Sequence, residues 1–327
     1  MTAIAATGLR KAYGEHKVLD GVDLHIPQGS VFSLLGPNGA GKTTTVKILS
    51  TLTSMDSGDA RIMGHDLGSD PDGVRGSIGV TGQFSAVDPF LNAYENLHLM
   101  GRLWHLPAKT VKQRAVELVE QFDLVEAAKK PVVTYSGGMK RRLDLAMTLV
   151  GGPRLIFLDE PTTGLDPRVR RSMWELINGL VADGVTIFLT TQYLEEADQL
   201  ADRIAVLDGG RLVAQGTPEE LKRKVPGGSI DLQFTSLAAL DQAAAALGVG
   251  ATRDEEEFKL RIPSDGSAQN VQAVLNRLDT STVKELSLHT PDLDDVFLAL
   301  TGQSSAQKTA ETTETTETAE TPATLAA

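Results

Sequence analysis

The chain has no cysteine among its 327 residues. This absence excludes disulfide bonds, thiolate metal sites and cysteine nucleophiles. Neither a disulfide scaffold nor a thiol enzyme is therefore expected. The absence fits a reducing cytosol without establishing that compartment.

Long uncharged hydrophobic runs are also missing. The most apolar stretches are interrupted by Asp144, Arg154 and Asp159, so none approaches the ~18 residues that a membrane-spanning helix needs. The N-terminal residues up to Ala6 lack the charged region and the apolar core of a signal peptide. We therefore expect any role at a membrane to depend on a partner protein.

An excess of positive charge is missing as well. The formal net charge is -12 and the isoelectric point is near 5.0. Binding to the phosphate backbone of DNA or RNA needs a concentrated basic face. We therefore expect no nucleic-acid partner.

Short strand-like runs alternate with helical patterns from the start of the chain to about Val225. Compact apolar runs predict three strands that are buried on both faces, namely Val31 to Leu35, Leu155 to Leu158 and Val185 to Leu189. Apolar residues at helical spacing lie between them. This order predicts an α/β domain whose largely parallel sheet is connected by helices.

The chain beyond Val225 has a different pattern. A linker is predicted at Pro226-Gly227-Gly228, and strand, helix, strand, strand, helix and strand follow from Ser229 to His289. This βαββαβ order is the ferredoxin-like arrangement, so we expect a small α+β accessory domain over 226–302. Threonine, glutamate and alanine dominate 303–327, which predicts a disordered tail because so few large apolar residues cannot offset the ordering entropy.

A glycine-rich segment follows the first of the buried strands. It reads Gly36-Pro37-Asn38-Gly39-Ala40-Gly41-Lys42-Thr43 and fits the phosphate-binding pattern G-x-x-x-x-G-K-[ST] between a strand and a helix. Its glycines allow backbone N–H groups to surround phosphate oxygens at a helix N-terminus. We expect Lys42 to reach the β and γ phosphates of ATP, Thr43 to ligate Mg²⁺, and Thr44 to belong to the same nucleotide site. A glycine-rich turn without a ligand is the weaker alternative.

The second buried strand leads directly into two carboxylates, Asp159 and Glu160. Strands of such a sheet present ligand-binding residues at their carboxyl ends. Asp159 can hold the Mg²⁺ shell, and Glu160 is the better candidate to orient and deprotonate the attacking water. A solvated strand end is the alternative, and the phosphate loop in the same chain makes it the weaker one.

The segment Thr134-Tyr135-Ser136-Gly137-Gly138-Met139 resembles the signature loop of ATP-binding cassette (ABC) proteins. Gly137 and Gly138 begin a helix whose first N–H groups, together with the Ser136 hydroxyl, can bind a γ phosphate. In that family the loop acts on the nucleotide held by the opposite subunit, so the resemblance implies a cassette homodimer with ATP between its subunits. It also implies a P-loop ABC ATPase cassette over 1–225, with a mixed sheet and a helical subdomain at about 88–150.

Further positions follow the family pattern. The resemblance implies that Tyr13 stacks on adenine, although an ordinary turn aromatic is an alternative. It implies that Gln83 reaches Mg²⁺ and the attacking water, and that the loop of Gln83 touches the membrane subunit. Asp166 resembles a residue of the loop that communicates across the dimer.

Two positions depart from the family pattern. Where most such cassettes have a histidine, this chain has Gln192, whose amide can donate a hydrogen bond to the γ phosphate but cannot take up a proton. A mechanism that depends on the histidine is therefore in doubt, and Glu160 gains importance as the base. Tyr135 replaces the leucine that usually begins the signature loop, with no predictable effect.

Nearly the whole chain resembles the daunorubicin-resistance type of drug-exporter ATPase, including Gln192 to Leu200 and Leu293 to Gly302. Proteins of that type work with a separate membrane permease and export antibiotics or lipid-like compounds. The resemblance implies ATP hydrolysis coupled to export, and a peripheral location at the cytoplasmic face of the cell membrane.

Two other functions remain open at the level of sequence. One is a cassette protein that acts on DNA or ribosomes, although the usual second cassette, cysteine-bound zinc and coiled-coil insertions are missing from the sequence. The other is a regulatory ATP binder with little hydrolysis, motivated by Gln192 and by the ferredoxin-like unit. For that unit we expect a dimer-stabilising or regulatory role.

Overall fold

The computed structural model describes residues 1–82, 86–224, 228–248, 250–264, 267–289 and 292–299. The chain divides into two compact units between Pro218 and Glu219. The boundary predicted at residue 225, most of the predicted linker and the predicted tail lie outside the described residues, so they stay predictions.

The first unit combines strands and helices in alternation. Its strands are β1 (Thr2–Tyr13), β2 (His16–Pro27), β3 (Val31–Leu35), β4 (Ser57–Ile62), β5 (His65–Asp66), β6 (Ile78–Thr81), β7 (Leu155–Asp159), β8 (Thr186–Thr191), β9 (Arg203–Asp208) and β10 (Arg211–Gly216). Its helices are α1 (Lys42–Leu49), α2 (Pro71–Ser77), α3 (Ala93–Leu103), α4 (Ala108–Gln121), α5 (Gly137–Leu149), α6 (Pro167–Ala182) and α7 (Leu194–Leu200). The next helix, α8 (Pro218–Lys222), contains the division between the units.

A six-stranded sheet with the order β10-β9-β3-β8-β7-β6 forms the centre of this unit. Its neighbouring strands are parallel except for the antiparallel pair of β9 and β10. Every residue of β3, β7 and β8 is buried, as expected for parallel strands that are covered on both faces. The three predicted buried strands are thus confirmed, and the third begins one residue later than predicted.

The two faces of this sheet pack into separate cores because successive side chains of a strand point to opposite sides. In β7, Ile156 and Leu158 join a core made with α3 to α6. Leu155 and Phe157 join the other core, which contains residues of β1, β2, β4 and α1. The helices and the remaining strands therefore enclose the sheet.

The strands β2, β1, β4 and β5 form a second sheet in that order, and all its pairs are antiparallel. This sheet was not predicted from the sequence. Together with the six-stranded sheet it gives the mixed α/β architecture that the resemblance implied.

The second unit has the predicted strand and helix order. It contains β11 (Ser229–Phe234), α9 (Leu237–Leu247), β12 (Thr252–Asp254), β13 (Lys259–Pro263), α10 (Ala268–Leu275) and β14 (Val283–His289), with a last helix at 293–299. The strands form an antiparallel sheet with the order β12-β13-β11-β14. Leu232, Leu240 and Leu260 lie in its hydrophobic core. This topology confirms the ferredoxin-like prediction.

Within the described ranges, no helix combines the length and the apolar character that crossing a membrane requires.

Candidate functional site

The phosphate loop connects the carboxyl end of β3 to α1, and two of its three glycines, Gly36 and Gly41, are required by space. A Cβ atom on Gly36 would lie 2.3 Å from the Leu207 carbonyl oxygen. A Cβ atom on Gly41 would lie 2.7 Å from Leu19 Cδ2 and 2.8 Å from the Val18 carbonyl oxygen, at a φ of 110°. Gly41 is the N-cap of α1, and no side chain caps the helix there. The loop therefore fits an anion that binds the first N–H groups of α1.

The ammonium group of Lys42 is buried at the centre of this loop. Its Nζ donates hydrogen bonds to the carbonyl oxygens of Gly36 at 2.8 Å and Pro37 at 3.2 Å. It also lies 3.5 Å from Glu160 Oε1. Burial lowers the pKa of Lys42, while the negative charges of Glu160 and Asp159 oppose that shift. A phosphate group would supply the buried cation with further compensating charge.

The two carboxylates at the end of β7 lie beside the phosphate loop. The Thr43 hydroxyl donates to Asp159 Oδ1 at 3.3 Å, and the Thr190 hydroxyl donates to the same oxygen at 2.5 Å. The Glu160 N–H donates to the Thr190 hydroxyl at 3.2 Å. Thr43 and Asp159 thus bring together two hard oxygen donors of the kind that Mg²⁺ prefers.

The backbone of Glu160 has a φ of 51°, a left-handed conformation that is uncommon for residues other than glycine. Its Oε2 accepts a hydrogen bond from the Thr163 hydroxyl at 3.3 Å. The side chain of Glu160 is therefore held between Lys42 and Thr163, next to the phosphate loop.

The signature residues form the beginning of α5. Ser136 is the N-cap, and its hydroxyl accepts from the Met139 N–H at 3.3 Å. Around a Cβ atom on Gly137 there is open space, whereas one on Gly138 would lie 2.5 Å from Val169 Cγ1. Gly137 thus leaves room for a ligand, and Gly138 permits close packing of α5 against α6.

Tyr135, which replaces the usual leucine, is a core residue. Its ring is 5% exposed, and its hydroxyl donates to the Ala127 carbonyl oxygen at 2.8 Å. Burial raises the pKa of Tyr135, so it stays a neutral hydrogen-bond donor. This tyrosine anchors the start of the signature loop in the protein interior.

The remaining predicted site residues lie on separate elements. Asp166 is the N-cap of α6 and accepts from the N–H groups of Arg168 and Val169. Tyr13 ends β1 with an exposed ring, and Lys11 Nζ lies 5.5 Å from the ring centroid. Gln192 follows β8 directly and is half-buried. Gln83 lies outside the described residues.

Two residues of this region, Thr190 and Arg141, were not predicted from the sequence. Thr190 pairs in register with Asp159 across β8 and β7. A threonine at the carboxyl end of a buried strand was a signal, but its partner depends on a register that the sequence does not reveal. Arg141 lies in α5 and contacts the backbone around Glu160; no sequence signal separates it from the neighbouring Arg142.

Comparisons with known proteins identify the family. A family model described as ABC transporter matches residues 19–163. The daunorubicin resistance ATP-binding protein DrrA3 of Streptomyces coeruleorubidus is 47% identical over 94% of this chain and 99% of its own length. The chain belongs to the ABC transporter ATP-binding proteins. The Nod factor export ATP-binding protein I of Ralstonia nicotianae is another relative of this ABC protein, 40% identical over 92% of the chain and 94% of its own length.

Solved structures match the cassette part of the chain. The ATP-binding subunit of an ABC transporter matches with a TM-score of 0.61 and 28% identity, covering 68% of this chain and 93% of that one. A dimeric ATP-binding cassette in a post-hydrolysis state, bound to ADP and phosphate, matches with a TM-score of 0.59 and 27% identity, covering 65% of this chain and 98% of that one. These matches confirm the predicted ABC ATPase fold.

Family membership decides between the functions that the sequence left open. The chain is an ABC ATPase that binds ATP and couples its hydrolysis to transport. The prediction of a transporter ATPase is therefore confirmed over a cassette protein acting on DNA or ribosomes, and over a binder with little hydrolysis.

Proposed function

We propose that two copies of this ABC ATPase close on two molecules of MgATP, and that their reopening after hydrolysis drives a separate membrane permease. The observation that carries this proposal is the cluster of Lys42, Thr43, Asp159 and Glu160 at the carboxyl ends of β3 and β7. This cluster has a phosphate-binding loop, two oxygen ligands and a carboxylate, which together suit phosphoryl transfer to water.

Each residue of the cluster has a role that follows from its position. Lys42 neutralises charge on the β and γ phosphates, and the backbone N–H groups from Asn38 to Thr44 surround the phosphate oxygens. Thr43 and Asp159 would hold the Mg²⁺ ion. Bound Mg²⁺ neutralises phosphate charge and orients the γ phosphate. Glu160 orients the attacking water and accepts its proton.

Other residues complete the site from neighbouring loops. Gln192 donates its amide hydrogen bond to the γ phosphate and takes no part in proton transfer. Gln83 would contribute a ligand to Mg²⁺ and contact the water, and the exposed ring of Tyr13 stacks on adenine.

A second copy of the chain supplies the opposite side of each nucleotide. Ser136, Gly137 and Gly138 form a helix N-terminus, which favours an anion through its N–H groups and dipole. Asp166 lies in the loop that communicates between the two copies. One of the similar solved cassettes is dimeric, and this supports the arrangement.

The transported compounds are antibiotics, other drugs or lipid-like molecules that leave the cell. Support comes from two relatives, one a daunorubicin resistance ATP-binding protein and the other a Nod factor export ATP-binding protein. The ATPase then lies peripherally at the cytoplasmic face of the cell membrane, bound to the permease. Fractionation after co-expression with a candidate permease tests this: recovery with ribosomes or DNA, and not with the membrane, contradicts the proposal.

The catalytic assignment is tested with Glu160→Gln. We expect the turnover of ATP to fall by about 100-fold or more, because a general base contributes roughly that factor, while MgATP binding stays intact. Glu195→Gln is the matched control, because this glutamate is 60% exposed on α7, and its turnover should equal that of the wild type. Equal turnover of Glu160→Gln and wild type removes Glu160 as the base.

A further inference from the structure

Arg141 joins the signature helix to the turn that carries Glu160. The residue lies in the second turn of α5, four positions after Gly137, and its side chain is 13% exposed. Its guanidinium donates hydrogen bonds to four backbone carbonyl oxygens and to one carboxylate. The acceptors are Pro161 O at 2.8 Å, Gly82 O at 3.0 Å, Asp159 O at 3.2 Å, Glu160 O at 3.2 Å and Asp144 Oδ2 at 3.4 Å.

The contacts of Arg141 coincide with the unusual backbone at Glu160. Three of the carbonyl oxygens belong to the consecutive residues Asp159, Glu160 and Pro161. The middle residue has the left-handed φ of 51°, a conformation that persists only where surrounding contacts impose it. Arg141 supplies such contacts on both sides of that residue.

The guanidinium is also fixed on its other side. Asp144, one turn further along α5, is 4% exposed, and its Oδ1 accepts from the Ala86 N–H at 3.1 Å. Burial lowers the pKa of Arg141, and the charges of Asp144, Asp159 and Glu196 oppose that shift. The cation therefore has fixed neighbours both on α5 and at the strand ends.

We propose that Arg141 is a positioning residue for ATP hydrolysis: it holds the Glu160 turn in the orientation that directs the carboxylate toward the nucleotide. It makes this connection from the helix that begins with the signature loop. The inference rests on the proposed role of Glu160 as the base. Arg141 itself does not touch the phosphate loop in any of its contacts given above, so it affects turnover and leaves nucleotide binding unchanged.

Lysine cannot replace this arginine. Guanidinium presents five N–H donors in a planar fork, whereas an ammonium group presents three donors from one point. Arg141→Lys keeps the positive charge beside Asp144 but cannot reach all four carbonyl oxygens. The variant thus separates the effect of the positive charge from the effect of the planar arrangement of N–H donors.

The experiment measures ATP turnover of the full chain as Arg141→Lys. We expect kcat to fall about 10- to 100-fold, because a small misplacement of a catalytic group costs about that much, and KM for ATP to stay within about twofold. Arg142→Lys is the matched control. This neighbour on the same helix bonds to Asp123 Oδ2 at 3.0 Å, away from the Glu160 turn, and its kcat should be that of the wild type. A kcat of Arg141→Lys within about twofold of the wild type overturns the proposal.

A double-mutant cycle shows whether Arg141 acts through Glu160. In the Glu160→Gln background, adding Arg141→Lys should lower the residual turnover no further, and an equal further fall contradicts the proposal. Should Glu160→Gln alone leave turnover unchanged, the proposed function of Glu160 fails, which is a different result. Arg141→Gln is the second variant, with the same expected loss of kcat. Loss of the folded state in both Arg141 variants also overturns the proposal, since the residue would then serve the fold alone.

Discussion

Thr190→Val removes the hydroxyl group that bonds to both Asp159 and Glu160, and it changes little else. Valine has nearly the shape of threonine and suits a strand, and the position is 0% exposed. The hydroxyl donates to Asp159 Oδ1 at 2.5 Å and accepts from the Glu160 N–H at 3.2 Å. The substitution therefore weakens the support of both carboxylate residues.

The expected loss follows from these two hydrogen bonds. A bond to a charged group contributes about 1.5–3 kcal/mol and a neutral one about 0.5–1.5 kcal/mol. Asp159 Oδ1 keeps its bond from Thr43, and the Glu160 N–H keeps the Thr190 carbonyl oxygen at 3.1 Å. We expect the free energy of unfolding to fall by about 2–4 kcal/mol in total. For a domain of this size the melting temperature then falls by about 4–16 °C.

Thermal unfolding followed by circular dichroism measures this change, and an ATPase assay should show a lower kcat in the same variant. Thr190→Ser is the control, because it keeps the hydroxyl and should recover most of the lost stability. A Thr190→Val protein with wild-type melting temperature and turnover would refute the reasoning.

Three further predictions concern other parts of the chain. Gly41→Ala should abolish MgATP binding in a fluorescent-nucleotide titration, because its Cβ atom would lie 2.7 Å from Leu19 Cδ2; Gly39→Ala, where a Cβ atom meets open space, should retain more binding. Burial raises the pKa of Glu196 above its ordinary value of 4.5. The protonated Glu196 carboxyl therefore contributes stability to the fold below that value, and this contribution is lost as the pH rises through the folded-state pKa. Glu196→Gln keeps an oxygen that accepts from Thr162 and does not ionise, so the melting temperature of this variant should fall less than that of the wild type over the same pH range. Identical pH profiles of the melting temperature in the two proteins would contradict this. Leu232→Ala in the core of the second unit should lower the free energy of unfolding of that unit, measured with urea, by about 2–5 kcal/mol. An unchanged free energy of unfolding would mean that this core contributes little to stability.

Much of this fold could be predicted because its signals are local in the sequence. The buried strands are continuous apolar runs, and the phosphate loop is a contiguous pattern in which Gly36 and Gly41 meet direct steric limits. The antiparallel sheet was missed although Val22, Leu24 and Ile26 alternate with exposed residues in β2, which is a strand signal.

Non-local geometry explains the missed site residues. Thr190 acquires its role from pairing with Asp159, a register that depends on the whole sheet. Arg141 and Arg142 are adjacent and chemically identical, but the helix points them in different directions. One contacts the Glu160 turn and the other contacts Asp123.

The most direct test of the account is the mass of the Glu160→Gln protein in solution, measured by light scattering with and without MgATP. We predict a monomer without nucleotide and a dimer with saturating MgATP, and the Lys42→Ala/Glu160→Gln protein should stay monomeric under both conditions. A Glu160→Gln protein that remains monomeric at saturating MgATP would contradict the claim that two copies clamp the nucleotide between the phosphate loop of one and the signature loop of the other.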